Sequence, residues 1–394
     1  MTNERMYGLG NEPSAIRELF AYGLKRKAEV GAENVYDFSL GNPSVPAPDK
    51  VKETVLALME KPADVLHAYS PAAGIPEVRE TIATSIRRRF DVPAKAAHVY
   101  MTVGAAASVT LTLSAVTQPG EEVVVVSPYF PEYKVWIETA GCSIVEVPAH
   151  IPDFQIDIDA MAAAINEKTA AVIINSPNNP VGSVYSRANL EAFAKLLSDK
   201  EAELGRKIYL ISDEPYREIV YAGVEVPYVP TLYPRTVVCY SYSKSLSLPG
   251  ERLGYVYVSD YMDEADEVFA AVAGAGRAYG YVCAPVLFQR VVAACVDEPS
   301  DVRSYAENRR LLTEGLSELG YEYVEPQGAF YLWLRSLEDD AQAFCDRAKA
   351  LDLLIVPSDS FGMPGWVRVS YCISRTTIEN SMAAFKKLKE SYEA

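Results

Sequence analysis

The stretch YSYSKSLSLPGERLGY, residues 240–255, places a lysine between two serines and an arginine eight residues after the lysine. Lys244 is a primary amine that could form a Schiff base with an aldehyde. Ser241 and Arg252 flank it along the chain, and both side-chain types bind phosphate well. The stretch therefore indicates a site for a phosphorylated aldehyde. A lone lysine in a turn is more often a solvated side chain, so this interpretation depends on what accompanies Lys244.

Four residues elsewhere in the chain could each contact one part of a pyridine ring that carries a hydroxyl group. Asp213 can hold the positive charge of a protonated ring nitrogen. Tyr216 and Asn179 can each hydrogen-bond to a ring hydroxyl. Phe130 supplies a flat apolar face. Together they provide a partner for each exposed feature of a substituted pyridine.

The segment TVGAAASVTLTLSAV places Gly104, Ala105 and Ala106 at the start of a predicted helix. Small residues let main-chain N–H groups approach an anion there, and the helix dipole adds to the attraction. With Ser241 and Arg252 these residues form a predicted phosphate site. An aldehyde, a pyridine nitrogen, a phenolic oxygen, a phosphate and a ring face together specify pyridoxal phosphate.

Each of these signals alone has a simpler explanation. SDEPY is typical of a strand followed by an acidic turn, NSPNNPVG of a proline-rich loop, and GAAAS of a helix start packed against a sheet. Phe130 alone is more typical of a core. The prediction of a cofactor site rests on their joint occurrence, in order, at the ends of successive strands.

Apolar runs typical of buried strands alternate with helical patterns through the middle of the chain. The runs end in polar residues, at Ser127, Asn175, Asp213 and Ser241. Strands that are apolar on both faces and separated by helices predict a mostly parallel sheet covered on both sides. Because ligands bind at the carboxyl ends of such strands, we expect the four polar ends to converge on one crevice.

The pattern changes after about residue 290, where long amphipathic helices alternate with short strands. The last helix has Thr376 and Glu379 at the spacing of a capping box. We predict a large cofactor-binding domain over residues 46–290. A small domain is predicted from the N-terminal segment 1–45 and the C-terminal α+β lobe 291–394.

Composition and charge disfavour several classes of protein. The chain has 394 residues, 49% of them apolar, and a net charge of −16, which opposes binding to nucleic acid or to an acidic membrane surface. Its six cysteines form no C-x-x-C pair and its three histidines lack ligand spacing, so neither a metal site nor a Ser-His-Asp triad is predicted. Without an apolar signal core or a stretch of about 18 apolar residues, we expect a cytoplasmic protein.

Nearly from end to end, the chain resembles the class I/II, fold-type I, pyridoxal-phosphate-dependent aminotransferases of the aspartate aminotransferase superfamily. SYSKSLSLPGERLGY is similar to the family's S-x-S-K followed by G-x-R-x-G. NSPNNPVG and SDEPYREIVY match its asparagine and aspartate–tyrosine motifs, and AYSPAAGIPEVRETIA, QGAFYLWL and VRVSYC also fit. The resemblance implies an α/β fold, with a mostly parallel seven-stranded sheet between helices in the large domain and a smaller α+β domain.

The resemblance also implies roles for the matching residues. Lys244, Asp213 and Tyr216 would be catalytic: the lysine forms the Schiff base and later carries protons, the aspartate pairs with the ring nitrogen, and the tyrosine contacts the ring hydroxyl. The further cofactor-binding residues that it implies are Gly104, Ala105, Ala106, Phe130, Asn179, Ser241 and Arg252.

The implied assembly is a homodimer, because Tyr69 would reach the phosphate from the neighbouring subunit. The implied substrate residues are Arg368, which grips the α-carboxylate in a bidentate fork, Gly41, which lines that end of the pocket, and Asn179. The implied reaction moves the amino group of an L-amino acid to a 2-oxo acid by ping-pong chemistry, in the manner of aspartate aminotransferase.

The chain departs from the family in how it would bind a second carboxylate. Some prokaryotic aspartate aminotransferases have a lysine where this chain has Ala106, and Arg277 of the partner subunit is the candidate replacement. Without such a residue, neutral or aromatic amino acids become alternative donors. A carbon–sulfur β-lyase is another alternative, since it would share every cofactor residue. A non-catalytic cofactor-binding regulator is disfavoured by Arg368 and by the lack of a basic winged-helix segment.

Overall fold

The computed structural model of the chain describes residues 2–11 and 14–393. The α-helices of this described part are α1 Glu4–Asn11, α2 Ala15–Val30, α3 Asp49–Met59, α4 Ala63–His67, α5 Pro76–Phe90, α6 Ala105–Val116, α7 Glu132–Thr139, α8 Ile158–Ala164, α9 Arg187–Leu204, α10 Tyr242–Ser245, α11 Ala265–Tyr279, α12 Val286–Cys295, α13 Val302–Glu318, α14 Ala341–Lys349 and α15 Arg375–Glu390. Its β-strands are β1 Tyr36–Asp37, β2 Val99–Thr102, β3 Glu122–Ser127, β4 Ser143–Pro148, β5 Thr169–Asn175, β6 Tyr209–Asp213, β7 Thr236–Ser241, β8 Gly254–Val258, β9 Tyr323–Val324, β10 Tyr331–Arg335, β11 Leu353–Leu354, β12 Val356–Pro357 and β13 Trp366–Ser370.

The described residues group into two compact units. The large unit comprises residues 43–302 and 327–329, and it contains α3 to α12 and β2 to β8. The small unit comprises the described residues of 1–42, 303–326 and 330–394.

A seven-stranded sheet with the order β2-β8-β7-β6-β5-β3-β4 forms the centre of the large unit. Strands β3 to β7 run parallel to one another, and β8 runs antiparallel to both of its neighbours. Every residue of β5, β7 and β8 is buried, as expected for strands that helices cover on both faces. The mostly parallel α/β sheet predicted from the sequence is therefore confirmed.

Two apolar clusters attach helices to this sheet. In one, Leu111 of α6 and Val272 of α11 pack with Val256 of β8. In the other, Tyr133 of α7 packs with Ile173 of β5. The second cluster brings α7 onto the strands whose ends carry the candidate site, and so it determines where the Tyr133 side chain lies.

The small unit contains a four-stranded antiparallel sheet in the order β12-β13-β10-β9 and a parallel pair of β1 with β11.

The predicted capping box at Thr376 and Glu379 is wrong. Helix α15 begins at Arg375 because the Ser374 side chain caps it by accepting a hydrogen bond from the Thr377 N–H. Glu379 forms an ion pair with Arg375 instead.

The six cysteines are all free thiols. Among the described helices, none has both the length and the apolar character needed to cross a membrane.

Candidate active site

Strands β5, β6 and β7 end beside one another at the carboxyl edge of the large sheet. Asn175, the last residue of β5, pairs in register with Asp213, the last residue of β6. Asp213 pairs in turn with Cys239, just before β7 ends at Ser241. The order of the strands changes direction at β3, between β4 and β5, and open α/β sheets bind ligands at such points.

The Asp213 carboxylate is buried at this edge, with an exposed fraction of 7% for the residue. Its Oδ2 accepts a hydrogen bond of 2.5 Å from the Tyr133 hydroxyl, whereas its Oδ1 has no partner among the described residues. Burial raises the pKa of Asp213 to about 7, although the hydrogen bond from Tyr133 acts in the opposite direction. The site thus holds a carboxylate with one oxygen available to a cationic donor.

Asn175 links Asp213 to the following loop. Its Nδ2 donates to the Asp213 carbonyl at 2.8 Å, and its Oδ1 accepts from the Asn179 N–H at 2.7 Å. One buried amide therefore sets the spacing between the main chains of Asp213 and Asn179, two residues that the sequence assigned to the same ring.

Lys244 lies in the short helix α10, which follows β7 directly. Its side chain is half-buried, and its Nζ lies 6.0 Å from the centroid of the buried Tyr216 ring. Ser241 precedes the helix, and its hydroxyl accepts a hydrogen bond of 3.1 Å from the Ser243 N–H. The predicted amine and the predicted phenol are therefore neighbours.

Gly104 and Arg252 lie together at the start of α6. Gly104 has a φ of +94°, and a Cβ added to it would lie 2.9 Å from Arg252 Nη2. Ala105 and Ala106 are the first residues of the helix. Arg252 is exposed, and its Nη1 donates to the Pro249 carbonyl at 3.3 Å. A helix N-terminus beside a guanidinium favours an anion.

Phe130 follows β3 and is half-buried. Its ring meets Tyr133 edge-on, with centroids 5.8 Å apart and an interplanar angle of 87°. Trp136 lies at 5.9 Å. These contacts with two residues of α7 restrict the plane of the Phe130 ring.

The small unit holds a second group of predicted residues. Arg368 of β13 has an exposed fraction of 2%, and its Nη2 donates to the Ser39 carbonyl at 2.7 Å. Its guanidinium lies 4.7 Å from the Tyr331 ring centroid and 5.2 Å from that of Phe361. A Cβ on Gly41 would lie 2.0 Å from the Tyr331 hydroxyl, so Gly41 and Arg368 share this tyrosine as a neighbour.

The family model for aminotransferases of class I and II matches residues 33–385. The chain belongs to this family. It is similar to an aminotransferase from Eubacterium rectale of known structure, with a TM-score of 0.98 and 52% identity over 100% of both chains. It is 32% identical to the aspartate aminotransferase of Thermotoga maritima over 95% of this chain and 96% of the relative. It is 29% identical to the aromatic-amino-acid aminotransferase 2 of Thermococcus litoralis over 96% of both.

The enzyme is therefore an aminotransferase that depends on pyridoxal phosphate, as the sequence predicted. The alternative of a carbon–sulfur β-lyase is not favoured, because these relatives carry aminotransferase names.

The large unit of the aminotransferase contains groups that fit this cofactor. The unpartnered Oδ1 of Asp213 suits a protonated ring nitrogen. The amine of Lys244 lies beside Tyr216. At Gly104 the positive φ favours glycine, and the main chain lies beside the Arg252 guanidinium, as expected where N–H groups and a guanidinium share one anion.

Two residues of the aminotransferase site were not predicted from the sequence: Tyr133, which donates to Asp213, and Tyr331, which contacts Arg368. Asn175, which donates to the Asp213 carbonyl, was predicted only as the polar end of a strand. Tyr331 lies within the motif QGAFYLWL, so its position was a usable signal. Tyr133 carried no signal, because it is 80 residues from its partner along the chain.

Two further predicted residues, Tyr69 and Arg277, are exposed. Tyr69 has an exposed fraction of 94%, so its side chain packs against almost nothing in its own chain. Arg277 is exposed near the end of α11. Neither side chain is buried within the aminotransferase subunit.

Proposed function

We propose that the aminotransferase moves the amino group of L-aspartate to a 2-oxo acid by ping-pong chemistry. The observation that supports the place of the cofactor is the buried Asp213 carboxylate with its unpartnered Oδ1, and the reaction type is supported by the aminotransferase family to which the chain belongs. Such an oxygen needs a donor, and a cationic N–H is the strongest one. The choice of aspartate is supported by the relative from Thermotoga maritima, which is named aspartate aminotransferase.

The residues of the large unit take the following proposed roles. Asp213 holds the proton on the cofactor's ring nitrogen, and Tyr216 and Asn179 hydrogen-bond to its ring hydroxyl. Phe130 packs on the ring face. The residues that hold the phosphate are Gly104, Ala105, Ala106, Ser241 and Arg252.

Lys244 is the proposed proton carrier of the reaction. Pyridoxal phosphate, when bound, supplies an aldehyde for the amino group and a ring that withdraws electrons from the substrate Cα. Lys244 Nζ would take the proton from the substrate Cα and return it to the carbon that carried the cofactor's aldehyde oxygen. Its closeness to Tyr216 supports this role, because the phenol restricts where the flexible amine lies.

In the small unit, we propose that Arg368 binds the α-carboxylate of the substrate and that Gly41 leaves room for that carboxylate. We also propose Asn179 as a substrate-binding residue. A planar guanidinium forms two parallel hydrogen bonds with a carboxylate, which an ammonium group cannot reproduce. The buried position of Arg368 beside two aromatic rings supports this role, since these contacts and the bond to Ser39 restrict the orientation of the guanidinium.

Changing Arg368 to lysine is therefore expected to lower kcat/KM for every amino donor by about 100-fold, mainly through KM, while the affinity for pyridoxal phosphate stays unchanged. Steady-state kinetics and cofactor titration would measure the two effects. Arg335→Lys is the matched control, because Arg335 also lies over an aromatic ring, that of Trp366, in the same sheet. Equal losses in the two variants would contradict the role of Arg368.

We also propose a cytoplasmic homodimer in which Tyr69 contacts the phosphate of the neighbouring subunit. The high exposure of Tyr69 supports this, and so do the exposed Tyr279 and Tyr281 of the same unit. The free cysteines support a reducing compartment.

We also propose that residues 46–290 form the domain that binds the cofactor. The remaining residues, 1–45 and 291–394, are proposed to form a smaller domain.

Aromatic amino acids are the second candidate donors. The relative from Thermococcus litoralis carries that name, and Ala106 offers no charge to a distal carboxylate. In the aspartate proposal, Arg277 of the partner subunit binds that carboxylate. The exposure of Arg277 supports its availability to a second chain.

A panel of donors tested against 2-oxoglutarate and pyruvate would decide between the two candidates. We expect the highest kcat/KM with aspartate, and we expect Arg277→Ala to lower that value by about 10-fold or more while leaving alanine and phenylalanine unaffected. Arg187→Ala, which removes an exposed arginine paired with Glu225, is the control. A preference for phenylalanine, or an unchanged value for aspartate in Arg277→Ala, would overturn the aspartate proposal.

A further inference from the structure

Tyr133 is the residue that most directly determines the state of Asp213. Its hydroxyl donates to Asp213 Oδ2 at 2.5 Å, and both residues are buried, with exposed fractions of 2% and 7%. The other carboxylate oxygen, Oδ1, has no partner among the described residues. The two oxygens are therefore different: one is occupied within the protein, and one is open to a ligand.

We propose that Tyr133 is a positioning residue that orients the Asp213 carboxylate so that Oδ1 accepts the hydrogen bond from the cofactor's ring nitrogen. This inference rests on the proposed role of Asp213 toward that nitrogen. A carboxylate can rotate about its Cβ–Cγ bond and present either oxygen. A hydrogen bond from a fixed phenol to one oxygen removes that freedom before the ligand arrives.

The phenol of Tyr133 is itself held in place. The Tyr133 N–H donates to the Phe130 carbonyl at 3.0 Å, and the ring packs perpendicular to that of Phe130 and tilted against that of Trp136. The main chain of Asp213 is tied separately, through the bond from Asn175 to its carbonyl. With both ends fixed, the direction of the Oδ1 lone pairs follows from the structure of the protein alone.

Tyr133 also favours the charged form of Asp213. Burial raises the pKa of this carboxyl, and the hydrogen bond from the phenol lowers it. A hydrogen bond from a neutral donor to a buried carboxylate is among the strong ones in proteins. Removing it makes the negative charge harder to maintain, and so the attraction for a protonated ring nitrogen becomes weaker.

The test compares the affinity of apo-protein for pyridoxal phosphate with its affinity for a deaza analogue, in which a C–H group replaces the ring nitrogen. For Tyr133→Phe we expect pyridoxal phosphate to bind about 10- to 100-fold more weakly than in the wild type, and the deaza analogue to bind within about 3-fold of it. Fluorescence titration of the apo-protein measures both constants without relying on turnover.

Tyr129→Phe is the matched control, because it removes another buried phenol of the same segment, one that donates to Glu146. We expect this variant to bind both ligands like the wild type. An equal loss for both ligands in Tyr133→Phe would show a merely structural role and overturn the proposal, as would an unchanged affinity for pyridoxal phosphate. Thermal unfolding of each apo-protein identifies any variant that fails to fold.

The assay separates this inference from the role of Asp213 on which it rests. If the wild type binds both ligands equally, the ring nitrogen is not recognised, and both claims fail. If Asp213→Asn loses the preference for pyridoxal phosphate and Tyr133→Phe keeps it, only the role of Tyr133 is overturned.

Discussion

Replacing Lys244 with alanine is expected to lower kcat by about 10⁴-fold or more. In the proposed mechanism, Lys244 Nζ would hold the cofactor by condensing with its aldehyde, with loss of water, and would carry the proton of the substrate Cα. Lys244 lies at the carboxyl edge of the large sheet, where β7 leads directly into α10. Cofactor affinity should fall less than kcat, because Asp213, Arg252 and Gly104 remain. Single-turnover kinetics with a saturating donor would measure the loss.

Borohydride treatment supplies the companion measurement. In the wild type, reduction should attach the cofactor to the Lys244 peptide, and in Lys244→Ala no peptide should carry it. Lys195 is a suitable control position, because its ammonium group is exposed and paired with Asp199 within α9. Recovery of the label at Lys195, or full turnover by Lys244→Ala, would contradict the assignment.

The same variant tests the proposed sharing of sites between subunits. Hybrid dimers of Lys244→Ala with Tyr69→Ala would contain one site with both residues intact if Tyr69 acts across the interface. Activity above that of either variant alone is then expected on mixing. If Tyr69 served its own subunit, the hybrids would gain nothing.

Replacing Asp213 with asparagine is expected to lower kcat/KM by about 10²- to 10³-fold, the loss typical of removing one partner from a buried ion pair. Asparagine has nearly the same shape, but it cannot neutralise a protonated ring nitrogen. The preference of the apo-protein for pyridoxal phosphate over the deaza analogue should disappear with it. Kinetics and cofactor titration give the two values.

Although Asp213→Asn is expected to lower activity, it is expected to raise the stability of the apo-protein. Burial raises the pKa of Asp213 from 3.8 to about 7, so the folded state binds more protons than the unfolded state between these values. The free energy of unfolding of the apo wild type therefore falls as the pH rises between these two pKa values, by at most about 4 kcal/mol. Asparagine carries no such cost, so apo Asp213→Asn should unfold at a higher temperature than the apo wild type at pH 8, with the difference shrinking toward pH 5.

Asp266→Asn is the control for the sign of this effect. Asp266 accepts a hydrogen bond from His98, which lowers its pKa. A depressed pKa stabilises the folded state above the unfolded value, and this stabilisation is lost as the pH falls. Asp266→Asn should therefore not stabilise the apo-protein at pH 8. A rise in unfolding temperature in both variants would mean that the change at Asp213 is not electrostatic.

The position of the candidate site residues that lie within single motifs could be predicted from the sequence. Lys244 and Ser241 lie at one strand end, and Asp213 and Tyr216 at another, as short-range pattern and strand polarity predict, while their roles stay predictions. The N-cap of α15 shows what short-range pattern cannot predict. Several residues near this helix start have hydroxyl side chains, namely Ser374, Thr376 and Thr377. The hydrogen bond that the Ser374 side chain accepts identifies Ser374 as the N-cap.

By itself, the sequence determined the family and the cofactor of this protein, and it predicted a site made of an amine, a carboxylate, a phenol and a phosphate-binding helix start, each at the end of a buried strand. Only the tertiary structure decided how these groups are held. The register of β5 with β6 placed Asn175 against Asp213, and the packing of α7 brought Tyr133 to a carboxylate 80 residues away. Arg368 meets the Ser39 carbonyl from 329 residues along the chain. Such contacts depend on which surfaces pack together, and local periodicity carries no information about that choice.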